Sequence, residues 1–239
     1  MSLARRHQAR IHAASIAAAM PNAPAPTPAL TERAALLQQL GEDLRTLSEI
    51  QSVERKIEAK RTMVARYADW CAGAISAAPA QPGEQDDLLT TVMIWLIDIG
   101  DWPRALAIAA YVLTHGIALP ERYKRTPGTL VAEEVAAASL ADVEAVDFPT
   151  LAAAALLTDS HDMPDQVRAK LAKAAGRRLH HDAAHFDSEA PDAVAGGKAA
   201  LLDAAIAAMR RALKLDEKCG VKKDIETIER EIRNLAPAT

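Results

Sequence analysis

Aromatic residues are scarce in this chain of 239 residues: three Trp, three Tyr and two Phe, 3% of the total. So few rings exclude a stacking platform for single-stranded nucleic acid, which needs successive exposed aromatics. Two cysteines, Cys71 and Cys219, lie far apart in sequence and match no metal or redox spacing. They are expected to be ordinary thiols of a reducing cytoplasm. No run approaches the ~20 apolar residues of a membrane span. The opening MSLARRHQARIHAASIAAAMP has arginines before an Ala-rich run, as a signal peptide would. His12 and Ser15 interrupt that run, so a soluble protein is expected. Period-2 stretches and β-branched clusters are also wanting, which excludes a sheet protein.

What is present is helix-forming. Half the residues are hydrophobic, enough for a real core in one large or two small domains. Alanine is abundant, and the expectation is an all-α fold. The net charge of −4 hides an asymmetry. Residues 1–66 hold ten Lys and Arg against six Asp and Glu, a surplus of +4, so the remainder carries −8. A basic amino-terminal part on an acidic body is the pattern expected when one end meets nucleic acid.

The chain is organised around residues 86–135. Leu88, Leu89, Val92, Met93, Trp95, Leu96, Ile97 and Ile99 cover most of a helix circumference, so this helix should be buried on nearly all sides. Asp86 and Asp87 stand where an N-cap and a first-turn carboxylate belong. Gly100 supplies a stop, Asp101 a cap and Pro103 a first turn for a second helix, which ends near Gly116. A tight helical hairpin follows.

Before it come a basic arm, with Arg5, Arg6 and Arg10, and the proline-rich linker PNAPAPTPA, together residues 1–29. Residues 30–78 form a helical candidate DNA-binding region, begun by Thr31 as a cap. Its stripe of Leu36, Leu37, Leu40, Leu44, Leu47, Ile50 and Ile57 is expected to run through Gly41. Its end carries Arg55, Lys56, Lys60, Arg61 and Arg66, offset in part by Glu54 and Glu58. Helical spacing can set Arg55, Lys56 and Lys60 on one face, suited to several phosphates at once; a solvated face of mixed charge is the plain alternative. A central helical domain spans 85–180 and includes the basic turn PERYKRTP with Arg122, Lys124 and Arg125. From Thr126 to Val167 there is no Lys or Arg against eight acidic residues, so this stretch should face away from DNA or toward a basic neighbour. Its helix is expected to end at Pro149 and restart after Thr150.

A connector, 181–197, leads to a carboxy-terminal helical hairpin, 198–236, of tetratricopeptide-like pattern. Its last helix sets Val221, Ile225, Ile228, Ile232 and Leu235 at alternating steps of four and three, a seam for another subunit or for the chain's own helices. Enzymatic signatures fail on inspection. Gly196-Gly197-Lys198 lacks the first glycine and the Ser or Thr of a phosphate loop, where Asp192 and Ala199 stand. Asp86, Asp87, Asp98 and Asp101 could feed a two-metal nuclease, but helix ends make capping the simpler role. His180, His181 and His185 with Asp182 and Asp187 lack the context of a metal site and are expected at the surface. No catalytic residue, cofactor or metal is expected.

Three long blocks in order carry a resemblance: DDLLTTVMIWLIDIGDWPRALAIAAYVL with HGIALPERYKRTP and EEVA, then DMPDQVRAKLAKAAGRRL at 162–179, then LDEKCGVKKDIETIEREI at 215–232. Together they resemble the terminase small subunit of peduovirus-type tailed phages, the GpM family. The resemblance implies a non-enzymatic, ring-like homo-oligomer in the cytoplasm of the bacterial host. Such a subunit binds double-stranded viral DNA at the cohesive-end packaging site through an amino-terminal helical region. It recruits the large subunit, which supplies ATPase and nuclease, through its carboxy-terminal part. A tetratricopeptide-like adaptor with no DNA role is the alternative that the hairpins alone allow.

Overall fold

The computed structural model describes residues 28–77, 85–189 and 196–235, and all regular structure among the described residues is helical. They fall into two compact units, one up to Leu44 and the other from Arg45 onward. Helix α1, Pro28–Glu49, contributes most of its length to the first unit. Its start corrects one expectation: Thr31 lies a turn inside the helix, because Pro28, with its preset φ, already occupies the first helical position.

A second correction concerns the stripe from Leu36 to Ile57. It is not continuous. The chain leaves the helical conformation at Ile50–Ser52, and Ser52, extended at φ −67° and ψ 128°, accepts the Arg55 N–H to open α2, Val53–Met63. Gly41 stays within α1, so the break is made by a capping serine and not by the glycine. A single 3-10 turn, Val64–Tyr67, then leads to α3, Ala68–Ser76.

Helix α4, Asp87–Asp98, buries every residue from Leu88 to Ile97. Two threonines are enclosed with it, and each hydroxyl is answered: Thr90 donates to the Asp86 carbonyl at 2.8 Å, and Thr91 accepts from Arg122 Nη2 at 2.8 Å. Tyr67 meets Trp95 edge to face, centroids 6.0 Å apart. The corner to α5, Trp102–Thr114, is built as its residues demand. Gly100 at φ 76° donates to the Ile97 carbonyl and Asp101 N–H to that of Leu96, the paired bonds that close a helix over a left-handed residue. Gly116, φ 65°, repeats the device at the end of α5 with bonds to Leu113 and Val112.

Helix α6, Pro127–Ala141, starts on the Thr126 cap. The next break lies at Asp142–Asp147, earlier than expected, and Pro149 belongs to the first turn of α7, Phe148–Thr158, behind the Asp147 cap. The proline therefore opens a helix, the position where its missing N–H costs nothing. Helix α8, Asp165–Ala184, continues past Leu179 through His180 and His181, so part of the expected connector is helical. It packs on α6 and, most extensively, on α9, Gly197–Leu215. That contact is close: a Cβ on Gly176 would sit 2.6 Å from Met209 Cγ and 3.1 Å from the Ala205 carbonyl oxygen. Helix α10, Lys222–Leu235, closes the unit against α9.

Candidate nucleic-acid interface

Arg5, Arg6 and Arg10 lie outside the described residues. On α2 the expected face of three cations does not form. At 3.6 residues per turn Arg55 and Lys60 point roughly 140° apart, while Lys56 and Lys60 share a side. Lys56 and Lys60 are half-buried next to the inward Met63, and Lys60 Nζ is bonded to the Asp98 carboxylate of α4. Arg55 and Arg61 face solvent with Glu54 and Glu58, and Arg66 is exposed on the 3-10 turn.

The turn before α6 is similarly divided. Arg122 donates to buried Thr91 and its guanidinium stands 5.1 Å from the Tyr123 ring centroid, so it anchors the turn to α4. Arg125 is held by Glu133 at 2.5 Å and Glu134 at 3.0 Å, and the Glu133 hydrogen bond keeps its guanidinium even more firmly protonated. Lys124 remains exposed. Among the described residues, Arg55, Lys56, Arg61 and Lys124 have no side-chain hydrogen bond or ion pair, so these four can still meet a phosphate.

The carboxy-terminal seam turns inward. Val221 and Ile228 are fully buried in the cluster of Leu202, Ala205, Met209 and Leu179, and Ile225 and Ile232 pack against it. Only Leu235 is left at the surface, 47% exposed. Four of the five seam residues thus hold α10 on the chain's own α8–α9 pair, one of the seatings that their spacing allows. Polar contacts reinforce the docking: Arg177–Asp224 at 3.0 Å, His180–Glu231 at 3.0 Å and Arg210–Glu229 at 2.8 Å.

One cluster of cations escapes a reading by averages. Residues 211–223 carry Arg211, Lys214, Lys218, Lys222 and Lys223 against Asp216 and Glu217, inside a remainder whose sum is strongly negative. All five cations are exposed. A running charge count over about a dozen residues would have found them.

The carboxylates considered for metal chemistry have structural duties. Asp86 accepts the N–H groups of Leu88 and Leu89 at 3.1 and 3.0 Å and faces Trp70 Nε1 at 3.4 Å. Asp101 caps α5 and binds the Arg104 guanidinium at 2.6 and 2.8 Å; that bond holds its carboxyl below the usual range. Asp87 accepts from Gln85, and Asp98 holds Lys60. His181 and His185 stack on each other, centroids 4.3 Å apart, instead of converging with His180. Among the described residues no group of three or more His, Cys, Asp or Glu is placed to hold a metal ion. Both cysteines are free. Cys71 is buried beside Asp86, and burial above all pushes its thiol up to about 12, whereas Cys219 is half-buried in the turn between α9 and α10. No helix among the described residues is long and apolar enough to cross a membrane.

Among the described residues, the candidate carboxylates are thus spent on structure while several surface cations stay free. Comparison with known proteins identifies the family. The family model of the phage small terminase subunit matches residues 37–166. The chain is also 39% identical over 235 residues to the "Terminase, endonuclease subunit" of Escherichia phage P2, covering 97% of this chain and 86% of the relative. No solved structure matches. The chain belongs to the phage terminase small-subunit family.

Proposed function

We propose that this chain binds double-stranded viral DNA at the cohesive-end packaging site and passes it to the large terminase subunit in the host cytoplasm. Membership of the small-subunit family carries the reading. The available cations Arg55, Lys56, Arg61 and Lys124 supply its chemistry. Phosphate contacts of this kind position a duplex without reading its bases. Each is weak, and a closed ring of subunits would multiply them, raising avidity without a single tight site. The partner's motor and nuclease would then act on DNA that this subunit has selected.

A native mass spectrum of the purified full chain, with and without duplex DNA, tests the assembly and the binding together. A closed high-order oligomer that takes up duplex is the expected result. Arg55→Glu with Arg61→Glu should then weaken binding and lower the salt slope by about 0.9 for each phosphate that is no longer neutralised. A protein indifferent to duplex overturns the reading in favour of a helical adaptor. Metal-dependent cutting by the isolated subunit, as the name of the phage P2 relative would suggest, overturns the division of labour.

A further inference from the structure

We propose that the corner between α9 and α10, formed by Arg211, Lys214, Lys218, Lys222 and Lys223, is a second contact surface for the phosphate backbone of duplex DNA. The proposal rests on the DNA-binding reading above but concerns a different surface.

The corner keeps a surplus of positive charge because several nearby carboxylates are already used. Asp224 binds Arg177 and Glu229 binds Arg210. Glu231 pairs with His180, while Asp216 accepts the Lys218 backbone N–H at 2.9 Å and keeps its charge. Glu217 and Glu226 have no such partner among the described residues, so five cations face three charged acids and the corner keeps a surplus of two. The five cations make no side-chain hydrogen bond or ion pair among the described residues. By contrast, Lys60 and Arg125 from the expected DNA surfaces are both neutralised within the chain.

The corner is also held in place. Lys173 of α8 donates from Nζ to the Cys219 carbonyl at 2.7 Å, which brings one more positive charge alongside without cancelling it. Gly220, at φ 76°, turns the chain, and Val221 is fully buried directly after it. The backbone under the cations is therefore fixed before any ligand arrives. The positive end of the α10 dipole points the same way.

The composition selects a phosphate backbone over a protein surface. Lysine is depleted at protein–protein interfaces, which favour aromatics, methionine and arginine around an apolar centre. Four of the five cations here are lysines. The large exposed apolar side chains of the described residues, Val53, Ile75, Leu156 and Leu235, are all elsewhere in sequence. No aromatic residue lies between 211 and 223, so stacking on bases has no basis and the contact positions DNA without specifying its sequence.

The test uses the full chain and a duplex of arbitrary sequence, titrated by fluorescence anisotropy across a salt series. Lys214→Gln/Lys218→Gln/Lys222→Gln should bind roughly tenfold or more weakly at moderate salt, with a slope lower by roughly 2 to 3. The matching triple Lys→Arg variant should keep the slope. Acetylation footprinting of the unaltered protein gives a readout free of any folding effect: the duplex should protect Lys214, Lys218 and Lys222 and leave Lys198 open. Wild-type binding with an unchanged Gln variant and no protection at the corner overturns this proposal alone, and points the corner toward an acidic protein partner. Absence of any duplex binding by the wild-type chain overturns the DNA reading itself.

Discussion

The two hairpins of this protein treat charge in opposite ways. In α4–α5 the cations and carboxylates at the ends are consumed: Lys60 by Asp98, Arg104 by Asp101, Arg122 by a buried threonine. Helix α4 between them is enclosed on all sides. In α9–α10 two carboxylates of α10, Asp224 and Glu229, bind Arg177 of α8 and Arg210 of α9, while the cations of the turn remain in water. Helix α10 fully buries only Ile228 along its own length. The first hairpin is arranged for stability and the second leaves charge available. Surplus charge in a segment is therefore a poor guide to binding until its partners are known.

The comparison fails if the two hairpins prove equally sensitive to truncation. Trp95→Ala should destabilise by about 3–5 kcal/mol in urea unfolding, whereas Leu235→Ala should fall within about 0.5 kcal/mol of wild type. Equal losses would mean that α10 carries hidden core contacts. The next largest effect sharpens the α8–α9 contact. Gly176→Ala places a methyl against Met209 and a backbone carbonyl, and should cost about 1–3 kcal/mol by the same measurement.

Asp101→Ala should cost about 1 kcal/mol at neutral pH through loss of the α5 cap. Its carboxyl is held below the ordinary 3.8 by Arg104, so its contribution is full above that value and fades as pH falls through the folded-state value. Wild type and variant should therefore converge in acid unfolding. A gap that persists below the wild type's titration would assign the effect to packing. The smallest change is expected at Lys60. Lys60→Gln should lower stability by no more than about 1 kcal/mol and leave duplex affinity within about twofold. A loss as large as that of the corner variant would mean that Lys60 leaves Asp98 to join Arg55, Lys56 and Arg61 on the duplex.

Much of the fold was legible because its signals are local. Asp86, Gly100, Asp101 and Gly116 fix helix ends through bonds that span a few residues, and the all-round apolar run of α4 announces its burial. Ser52 was equally local but lay inside an uninterrupted leucine stripe, which overrode the weaker signal of one cap. Pro149 misled because proline either ends or begins a helix, and Asp147 two residues earlier decides which. The candidate site was less legible. Lys60 and Asp98 are 38 residues apart, and His180 and Glu231 are 51 apart, so no periodicity could pair them. The heptad seam of α10 was visible, but whether a seam meets its own chain or another depends on what folds opposite it.

The two thiols give this architecture a practical handle. Cys71 is shut inside the core with its ionisation pushed up to about 12, while Cys219 sits half-buried in the turn that bears the free lysines. Thiolate, not thiol, attacks an alkylating dye. A brief exposure of the folded chain to a maleimide fluorophore should therefore mark the α9–α10 turn and spare the core. The natural sequence thus carries its own attachment point, close enough to the cations for a change in emission to report, in real time, what arrives there.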